Sequence, residues 1–332
     1  MAQKELVVSL GNMNQEATIG VYANKSFPNT RKGIIALISW VKKQTDAAYP
    51  LKYVMEATGV YHEALAYFLS ENGYSVSIVM PNKITNFFRT LEVKTVTDRS
   101  MATAITLFGL SKKLEGWVPP QAAFRELRQL TRERDQLIAE RTMLKNQLHA
   151  EQTEAYPGKN IISRMKERIK MINAQLKKGL AEITAAIKSD AQISQSVKLT
   201  CSVPGIGLLT SAVIIAETNG FELIRSKKQL TSYAGLDVKE KESGTSVKGK
   251  PRISKRGNRY LRKAMYMPAM AAIRHSARYK AIFLRIFSRN SIKMKGCVAV
   301  QRKLLEMAYT VCKNKTPYRA DYLQTQQETQ PI

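Results

Sequence analysis

The sequence has few cysteines, few histidines and no long apolar run, and each shortage excludes a class of protein. Its three cysteines, Cys201, Cys297 and Cys312, are far apart, which excludes a disulfide scaffold and a zinc finger. No run approaches the roughly 18 apolar residues that cross a bilayer, and the first residues lack the apolar stretch of a signal peptide. We therefore expect a cytoplasmic protein without a membrane role.

Acidic side chains are scarce. The 332 residues include 53 Lys or Arg against 26 Asp or Glu, a net charge of +27. The segment Phe221–Arg319 alone holds 25 basic and 5 acidic residues and so carries +20 of that charge. The phosphates of nucleic acids are the usual partner that neutralises such a concentration of positive charge, and the charge therefore favours a DNA- or RNA-binding protein. The alternative is a solvated basic face with no specific partner.

The first 115 residues alternate between short apolar runs and helical patterns, which predicts an α/β domain. Glu5–Leu10 and Ala17–Ala23 indicate strands, and Thr30 is a predicted N-cap of a helix that reaches Gln44. A buried strand ends at Glu56, and a second strand covers Ser75–Val79.

Residues 116–196 have a different pattern. Apolar residues recur at helical spacing from Leu127 to Leu148 and again from Ile162 to Ile187, with Pro157 and Gly158 between the two runs. This predicts an antiparallel helical hairpin or coiled coil. Its apolar seam is either buried within the hairpin or shared with another subunit, and spacing does not choose between them.

Residues 197–320 are predicted to be mainly helical and basic, and residues 321–332 to form a flexible tail. We predict helices at Leu208–Glu217, Ser226–Ala234, Asn258–His275 and Gly296–Lys313. Gly205 and Gly207 precede the first of these, in a turn similar to that of a helix-hairpin-helix motif. Their backbone N–H groups at a helix N-terminus suit a phosphate, although a plain interhelical turn has the same sequence pattern.

The densest basic segment is Glu242–Asn258, which is rich in glycine and small residues. We predict that this loop and the following helix contact phosphates. The candidate residues are Lys248, Lys250, Arg252, Lys255, Arg256, Arg259, Arg262 and Lys263. Ser243 lies among these cations, which suit the stabilisation of charge in phosphodiester attack. No histidine lies nearby in sequence, so the local pattern alone does not make Ser243 a nucleophile.

Two acidic residues are candidate ligands for a metal ion. Glu56 is placed at the end of a predicted strand, and Asp98 at the predicted start of a helix. Clustered carboxylates hold the Mg²⁺ that cleaves phosphodiesters. The alternatives are a surface carboxylate at Glu56 and a helix cap at Asp98.

Several blocks in this order resemble one known family. The N-terminal blocks are MEATGVYHE at Met55–Glu63, VSIVMPN at Val76–Asn82 and KTVTDR at Lys94–Arg99. The C-terminal blocks are VPGIG at Val203–Gly207, SYAGL at Ser232–Leu236, ESG at Glu242–Gly244 and RKAMYMPA at Arg262–Ala269. Together they resemble the DEDD-type transposases of the insertion-sequence one-ten group, which includes the Piv invertases, over Glu5 to Tyr322.

The resemblance implies an N-terminal RNase H-like (RuvC-like) domain with four acids around Mg²⁺, then a coiled coil, then a mainly α C-terminal transposase domain. It makes Ser243 the nucleophile, and Glu56 and Asp98 the second and third acids. The positions of the first and fourth acids fall at Gly11 and Met101, which have no carboxylate to ligate a metal. The resemblance therefore predicts a degenerate acidic site.

Two functional hypotheses follow from the resemblance. The first is an insertion-sequence transposase or site-specific DNA recombinase, which works as a homo-oligomer (dimer or tetramer), with a structured bridge-type RNA and with Mg²⁺. The second is a nuclease-dead homologue that binds DNA or RNA as a regulator.

Overall fold

A computed structural model describes residues 3–14, 16–46, 48–57, 59–222, 224–240, 242–243, 247–249 and 252–319, with the backbone alone at 242–243, 247–248 and 290. Contacts divide the chain into two units, which meet in sequence between Pro119 and Pro120. None of the helices in the described ranges has the length and apolar character needed to span a membrane.

The first unit combines strands and helices, as the sequence predicts. Its elements in chain order are β1 (Glu5–Met13), β2 (Ile19–Pro28), α1 (Arg31–Gln44), β3 (Lys52–Glu56), α2 (Glu63–Glu71), β4 (Ser75–Val79), α3 (Pro81–Phe88) and α4 (Asp98–Ser111). The predicted strand at Ser75–Val79 is confirmed with its bounds. β1 and β2 are longer than predicted, and they pair around a bulge between Leu10 and Gly11.

Strand pairing produces two small sheets among the described residues rather than one. β1 pairs with β2 antiparallel, and β3 pairs with β4 parallel. The two sheets share a core with α1 and α2, in which Leu6, Leu37 and Met55 are buried. An α/β unit is confirmed, whereas the specific RNase H-like arrangement stays a prediction.

Helix α1 shows how local sequence sets these elements. The Thr30 hydroxyl accepts a hydrogen bond from the Gly33 N–H at 3.2 Å, as predicted for an N-cap, and such a cap contributes about 1 kcal/mol. Position 33 takes glycine because a Cβ there would lie 2.0 Å from the Pro28 carbonyl oxygen. The helix buries Ile34, Leu37, Ile38 and Val41 at the expected 3/4 spacing.

The second unit is mainly helical. Its helices are α5 (Ala122–Thr153), α6 (Lys159–Ser189), α7 (Ala191–Cys201), α8 (Leu208–Thr218), α9 (Lys227–Tyr233), α10 (Arg259–Ala264), α11 (Tyr266–His275), α12 (Ala277–Asn290) and α13 (Lys293–Asn314). Four two-residue strands lie between α9 and α10: β5 (Val238–Lys239), β6 (Glu242–Ser243), β7 (Val247–Lys248) and β8 (Arg252–Ile253). A mainly helical C-terminal part is confirmed.

The long helices α5 and α6 pack on each other as a hairpin. Leu127, Leu144, Ile172 and Ile183 are buried in its seam. Other apolar side chains, among them Met171, remain exposed. The helical hairpin is confirmed, and whether it is a coiled coil that also pairs with another subunit stays a prediction.

One predicted helix is wrong. The sequence pattern favours a continuous helix over Asn258–His275, but the structure has two, α10 and α11, with a break at Met265. Pro268 explains the break, because a proline ring inside a helix clashes with the carbonyl four residues earlier, here that of Ala264. Pro268 instead lies in the first turn of α11, where a missing N–H costs nothing.

Candidate functional site

The first unit holds a cavity of about 250 Å³ at which the two predicted carboxylates meet. Glu56 reaches it from the end of β3, and Asp98 from the first turn of α4. Met101 lies one turn further along α4 and lines the same cavity, as does Ser9 of β1. The structure therefore brings Glu56 together with Asp98 and Met101, which lie more than 40 residues further along the chain.

Asp98 does not cap its helix. Thr97 is the N-cap of α4, and its hydroxyl accepts a hydrogen bond from the Ser100 N–H at 3.1 Å. The Ser100 hydroxyl accepts from the Thr97 N–H at 2.8 Å, which completes a capping box. The cap alternative for Asp98 is therefore wrong, and its carboxylate is left to face the cavity.

Gly11, where the resemblance puts the first acid, is closely packed between β2 and α4. It does not line the cavity, and a Cβ at this position would lie 2.5 Å from the Gly20 carbonyl oxygen and 2.8 Å from the Thr106 methyl carbon. Position 11 thus has no room for a carboxylate. The β1 residues that do line the cavity are Glu5, Val7, Val8 and Ser9.

The residues around this cavity do not make a complete site for a divalent metal. Among the described residues, no three His, Cys, Asp or Glu side chains come together in a way that holds a metal ion. Mg²⁺ prefers oxygen ligands, and the Met101 thioether is a soft ligand. The carboxylates that line the cavity are Glu5, Glu56 and Asp98, and they do not form the four-acid set.

In the second unit, the segment that carries Ser243 forms a β-arm, which we define as residues 237–257. β5 pairs with β8 antiparallel at its base, and β6 pairs with β7 further out, where Ser243 lies opposite Val247. The sequence predicts a basic loop here, and its described residues include two short antiparallel strand pairs. The side chains of Ser243 and Lys248, and all of Lys250, lie outside the described residues.

The base of the β-arm is held by close backbone contacts. Gly257 has a φ of 145°, and a Cβ there would lie 2.4 Å from the Tyr233 carbonyl oxygen. The Asn258 N–H donates to that same oxygen at 2.6 Å. The Arg262 guanidinium donates to the Ala234 carbonyl oxygen at 2.8 Å. The SYAGL and RKAMYMPA blocks are thus adjacent in space and fix where the arm starts and ends.

A buried carboxylate that the sequence analysis missed anchors this region. The Glu217 side chain is only 1% exposed and accepts two hydrogen bonds from Arg132, at 2.7 and 2.8 Å. It also accepts one from the Asn258 amide at 2.6 Å, and Tyr233 donates to the Glu217 carbonyl oxygen at 2.9 Å. This network, called here the Glu217 network, joins α5 and α8 to the end of the β-arm.

The electrostatics of the Glu217 network follow from its burial. Hydrogen bonds to Glu217 raise the pKa of Arg132, so its charge is retained. Burial raises the pKa of Tyr233, which keeps its hydroxyl protonated as a donor. The Arg132 guanidinium also lies 4.6 Å from the centroid of the Tyr260 ring. The sequence contains one signal for this network, because Glu217 is the single charged residue in the otherwise apolar helix Leu208–Thr218.

The basic residues that are predicted to bind phosphate differ in whether their side chains already contact other protein groups. Lys263 forms an ion pair with Asp135 at 2.5 Å, and Arg262 is bound to a backbone carbonyl. These two therefore have structural partners. Arg252, Lys255 and Arg256 are exposed along β8 and the end of the β-arm. Arg259 is exposed too and stacks against Tyr260 at 4.9 Å.

The two glycines of the predicted phosphate-binding turn have different roles. Gly205 has a φ of 85°, and a Cβ there would lie 2.5 Å from the Pro268 carbonyl oxygen, so glycine is required for packing against α11. Gly207 is the exposed N-cap of α8, with open space around its Cα. Of the two, only Gly207 leaves a helix N-terminus open to solvent.

Comparison with known families agrees with this layout. A transposase family model of the DEDD type, named for IS110, matches residues 2–157. A second, described as the transposase IS116/IS110/IS902 family, matches residues 197–283, which include the β-arm. The protein is thus of the transposase class. Specifically, the chain belongs to the IS110 family of transposases.

Curated relatives extend the likeness over most of the chain. The pilin gene-inverting protein of Moraxella lacunata is 28% identical over 308 residues, 91% of this chain and 92% of that protein. That of Moraxella bovis is also 28% identical, over 90% of this chain and 91% of its own length. The transposase for insertion sequence element IS1111A of Coxiella burnetii is 26% identical over 40% of this chain and 37% of its own length.

Proposed function

We propose that this chain is a site-specific DNA recombinase of the transposase and invertase type, which binds DNA through the β-arm and uses Ser243 as its nucleophile. The observation that carries the proposal is the β-arm itself. It carries the backbone of Ser243 beyond a base that the Glu217 network fixes, and Arg252 and Arg256 are exposed at that base.

The placement of cations supports contact with a DNA backbone. Arg252, Lys255 and Arg256 are exposed along β8 and the end of the arm, and Arg259 begins the helix that follows. Such contacts neutralise phosphates without reading base sequence, so they position the DNA. Lys248 and Lys250, which lie on the same arm in sequence, belong to this proposed surface.

In the proposed reaction, the Ser243 oxygen forms a bond to a DNA phosphorus and the bond from that phosphorus to one neighbouring strand oxygen breaks. The serine proton passes to a base or to water, and the departing strand oxygen gains a proton. The product is a phosphoserine link between protein and DNA. Nearby guanidinium groups stabilise the negative charge that develops on the phosphate.

The acidic cavity supports a second candidate, a homologue that binds DNA or RNA without cutting it. The family's DEDD name denotes four acids, and Mg²⁺ is the metal that the resemblance implies. Here Met101 stands where an acid is expected, and Gly11, at the other expected position, has no carboxylate. We therefore assign no step to a metal at Glu56 and Asp98.

A covalent-adduct assay separates the two candidates. Labelled DNA is incubated with the protein and Mg²⁺, denatured and resolved by electrophoresis, with Ser243→Ala and Ser246→Ala as the variant and its neighbouring control. The recombinase proposal predicts an adduct with wild type and Ser246→Ala and none with Ser243→Ala. DNA binding by all three without any adduct supports the second candidate and refutes the nucleophile.

We also propose an RNA partner and a homo-oligomer. Structured RNA presents the same phosphate backbone to the basic β-arm, and a mobility-shift titration with a folded RNA and an unstructured control tests preference. Exposed apolar residues on the hairpin, such as Met143 and Met171, support self-association there. Light scattering tests this, and a monomer at all concentrations refutes the oligomer.

A further inference from the structure

Two adjoining cavities lie in the second unit, where α9, α12 and α13 pack together. Their volumes are about 130 Å³ and about 470 Å³. Lys227, Arg278, Met307 and Thr310 line both, so the two cavities are the inner and outer parts of one pocket, called here the α12–α13 pocket. No residue of the β-arm lines it. Small-molecule sites have volumes of roughly 300–1,000 Å³, so the pocket has room for a ligand of nucleotide size.

A buried hydroxyl lines the inner part of this pocket and has nothing to bond to. Tyr279 of α12 is 1% exposed, and its hydroxyl has no hydrogen-bond partner among the described residues. Such groups are rare, because a hydroxyl loses its water partners on burial and is normally given a protein partner instead. Burial raises the pKa of Tyr279, so the hydroxyl stays protonated. The inner part of the pocket therefore offers an unused hydrogen-bond donor.

Three basic side chains surround the pocket. Lys227 begins α9, Arg278 lies in the first turn of α12, and Arg319 follows α13. In the part of the chain that the structure describes, none of the three forms an ion pair, and no acidic residue lines the outer cavity. The charge of Arg278 acts against burial by lowering the pKa of Tyr279, so the guanidinium is close to the hydroxyl. The pocket thus combines uncompensated positive charge with a free donor.

The one carboxylate that lines the inner cavity already has a partner. Glu306 accepts a hydrogen bond from Lys303 at 2.8 Å, and both residues are on α13. This pair neutralises itself, so Glu306 does not offset the charges of Lys227 and Arg278. The inner cavity therefore remains a favourable place for an anion.

The outer part of the pocket has an apolar wall that suits a planar ring. Met307 and Val311 of α13 line it together with Pro317 and Tyr318, which follow that helix. The Tyr318 N–H donates to the Ser202 hydroxyl at 2.8 Å, which holds the backbone in place at this point. Aromatic side chains stack on nucleic-acid bases, and such stacking tolerates any base because each base has a π-face. A nucleoside therefore matches this wall.

A terminal phosphate suits the pocket better than a phosphate within a strand. A phosphate monoester carries about −1.5 to −2 charge at pH 7, whereas each phosphate within a strand carries one negative charge. Three cations around one pocket match the more highly charged group. The inner cavity of about 130 Å³ also has room for a phosphate group but not for a strand that continues on both sides of it.

We propose that the α12–α13 pocket binds a nucleoside monophosphate unit. The phosphate accepts a hydrogen bond from the Tyr279 hydroxyl and pairs with Arg278 and Lys227, and the base packs against Tyr318. A free mononucleotide and the 5′-phosphorylated end of a strand both present this chemistry. The inference does not rest on Ser243 or on the β-arm.

Isothermal titration calorimetry of the full chain with adenosine 5′-monophosphate tests the pocket. We expect the affinity to fall about 10-fold or more in Arg278→Gln and about fivefold in Tyr279→Phe, because each variant loses a hydrogen bond to the phosphate. The control Lys280→Gln changes an exposed residue of α12 that does not line the pocket, and it is expected to bind like wild type. Adenosine without phosphate is expected to bind far more weakly. No binding of the monophosphate, equal affinity for adenosine, or an unchanged affinity in Arg278→Gln overturns the proposal.

A competition measurement distinguishes the two sources of the ligand. A short single strand with a 5′-phosphate and the same strand with a 5′-hydroxyl compete with fluorescently labelled adenosine 5′-monophosphate. Displacement by the phosphorylated strand alone assigns the pocket to a strand end, and displacement by neither strand assigns it to a free mononucleotide. Equal displacement by both strands overturns the proposal, because the terminal phosphate is then not recognised. No DNA is cut and no variant lies on the β-arm, so failure here leaves the recombinase proposal standing.

Discussion

Removal of either partner of the Arg132–Glu217 pair is expected to destabilise the second unit, but to very different extents. In Arg132→Met, the Glu217 carboxylate is left without its cation at a position that is 1% exposed, and it retains a side-chain hydrogen bond only from Asn258 among the described residues. An uncompensated buried charge of this kind costs about 3–5 kcal/mol. In Glu217→Gln, the charge left behind is that of Arg132, whose side chain is 40% exposed and is hydrated, so we expect a loss of about 1–2 kcal/mol.

Thermal unfolding monitored by circular dichroism measures this asymmetry. At roughly 2–4 °C per kcal/mol for a unit of this size, Arg132→Met lowers the Tm by about 6–20 °C and Glu217→Gln by about 2–8 °C. The double variant Arg132→Met with Glu217→Leu is expected to be more stable than Arg132→Met alone, because no buried charge remains. The reasoning is refuted if Glu217→Gln is the more damaging single change.

Three further predictions concern positions where the structure gives a matched control or a defined pH range. Gly205→Ala is expected to lower the Tm, because the new Cβ would meet the Pro268 carbonyl oxygen and because position 205 has a positive φ. The control Gly207→Ala places its Cβ in open space and is expected to leave the Tm unchanged. Equal effects of the two variants would contradict the packing role of Gly205. Gly11→Ala is expected to lower the Tm because its Cβ would meet the Gly20 carbonyl oxygen, whereas Gly20→Ala has open space for its Cβ and is expected to have no effect. A Gly11→Asp variant with an unchanged Tm would contradict the close packing at position 11. Burial raises the pKa of Tyr279 to about 12, so the contribution of this hydroxyl to stability is complete below pH 10 and is lost as the pH rises to about 12. Tyr279→Phe is expected to remove that part of the pH dependence of the free energy of unfolding, measured with urea. A pH dependence that is the same in wild type and Tyr279→Phe would contradict this prediction.

Most of the fold could be predicted from periodicity and caps. Thr30 with the 3/4 spacing of Ile34, Leu37 and Val41 defines α1, and the strand Ser75–Val79 stands out by its apolar content. Such signals are local, so a short window of sequence contains them. The break in the helix over Asn258–His275 could also have been predicted from the sequence, because Pro268 disfavours a continuous helix there.

The features that sequence reasoning missed depend on contacts between distant residues. Glu217 is 85 residues from Arg132, and nothing in the apolar helix around it indicates a partner. Strand pairs of two residues each, such as β6 with β7, are too short to leave a periodic signal in the sequence. The close packing around Gly11 depends on β2 and α4 together, so a linear motif does not contain it.

The candidate site was predictable in part. Glu56 and Asp98 were identified from their positions at the end of a strand and the start of a helix, and the structure places both at one cavity. That Met101 joins them follows from the turn of α4.

The salt dependence of DNA binding tests the central claim, that the basic β-arm holds a nucleic-acid backbone. Fluorescence anisotropy with a labelled duplex is measured from low to physiological salt for wild type, Arg252→Gln, Arg256→Gln and the exposed control Lys32→Gln of α1. We predict that affinity falls steeply with salt, and that the log–log slope becomes shallower by about 0.9 for each arginine removed from the arm but not for Lys32→Gln. A flat salt dependence, or arm variants that match the control, would contradict the account.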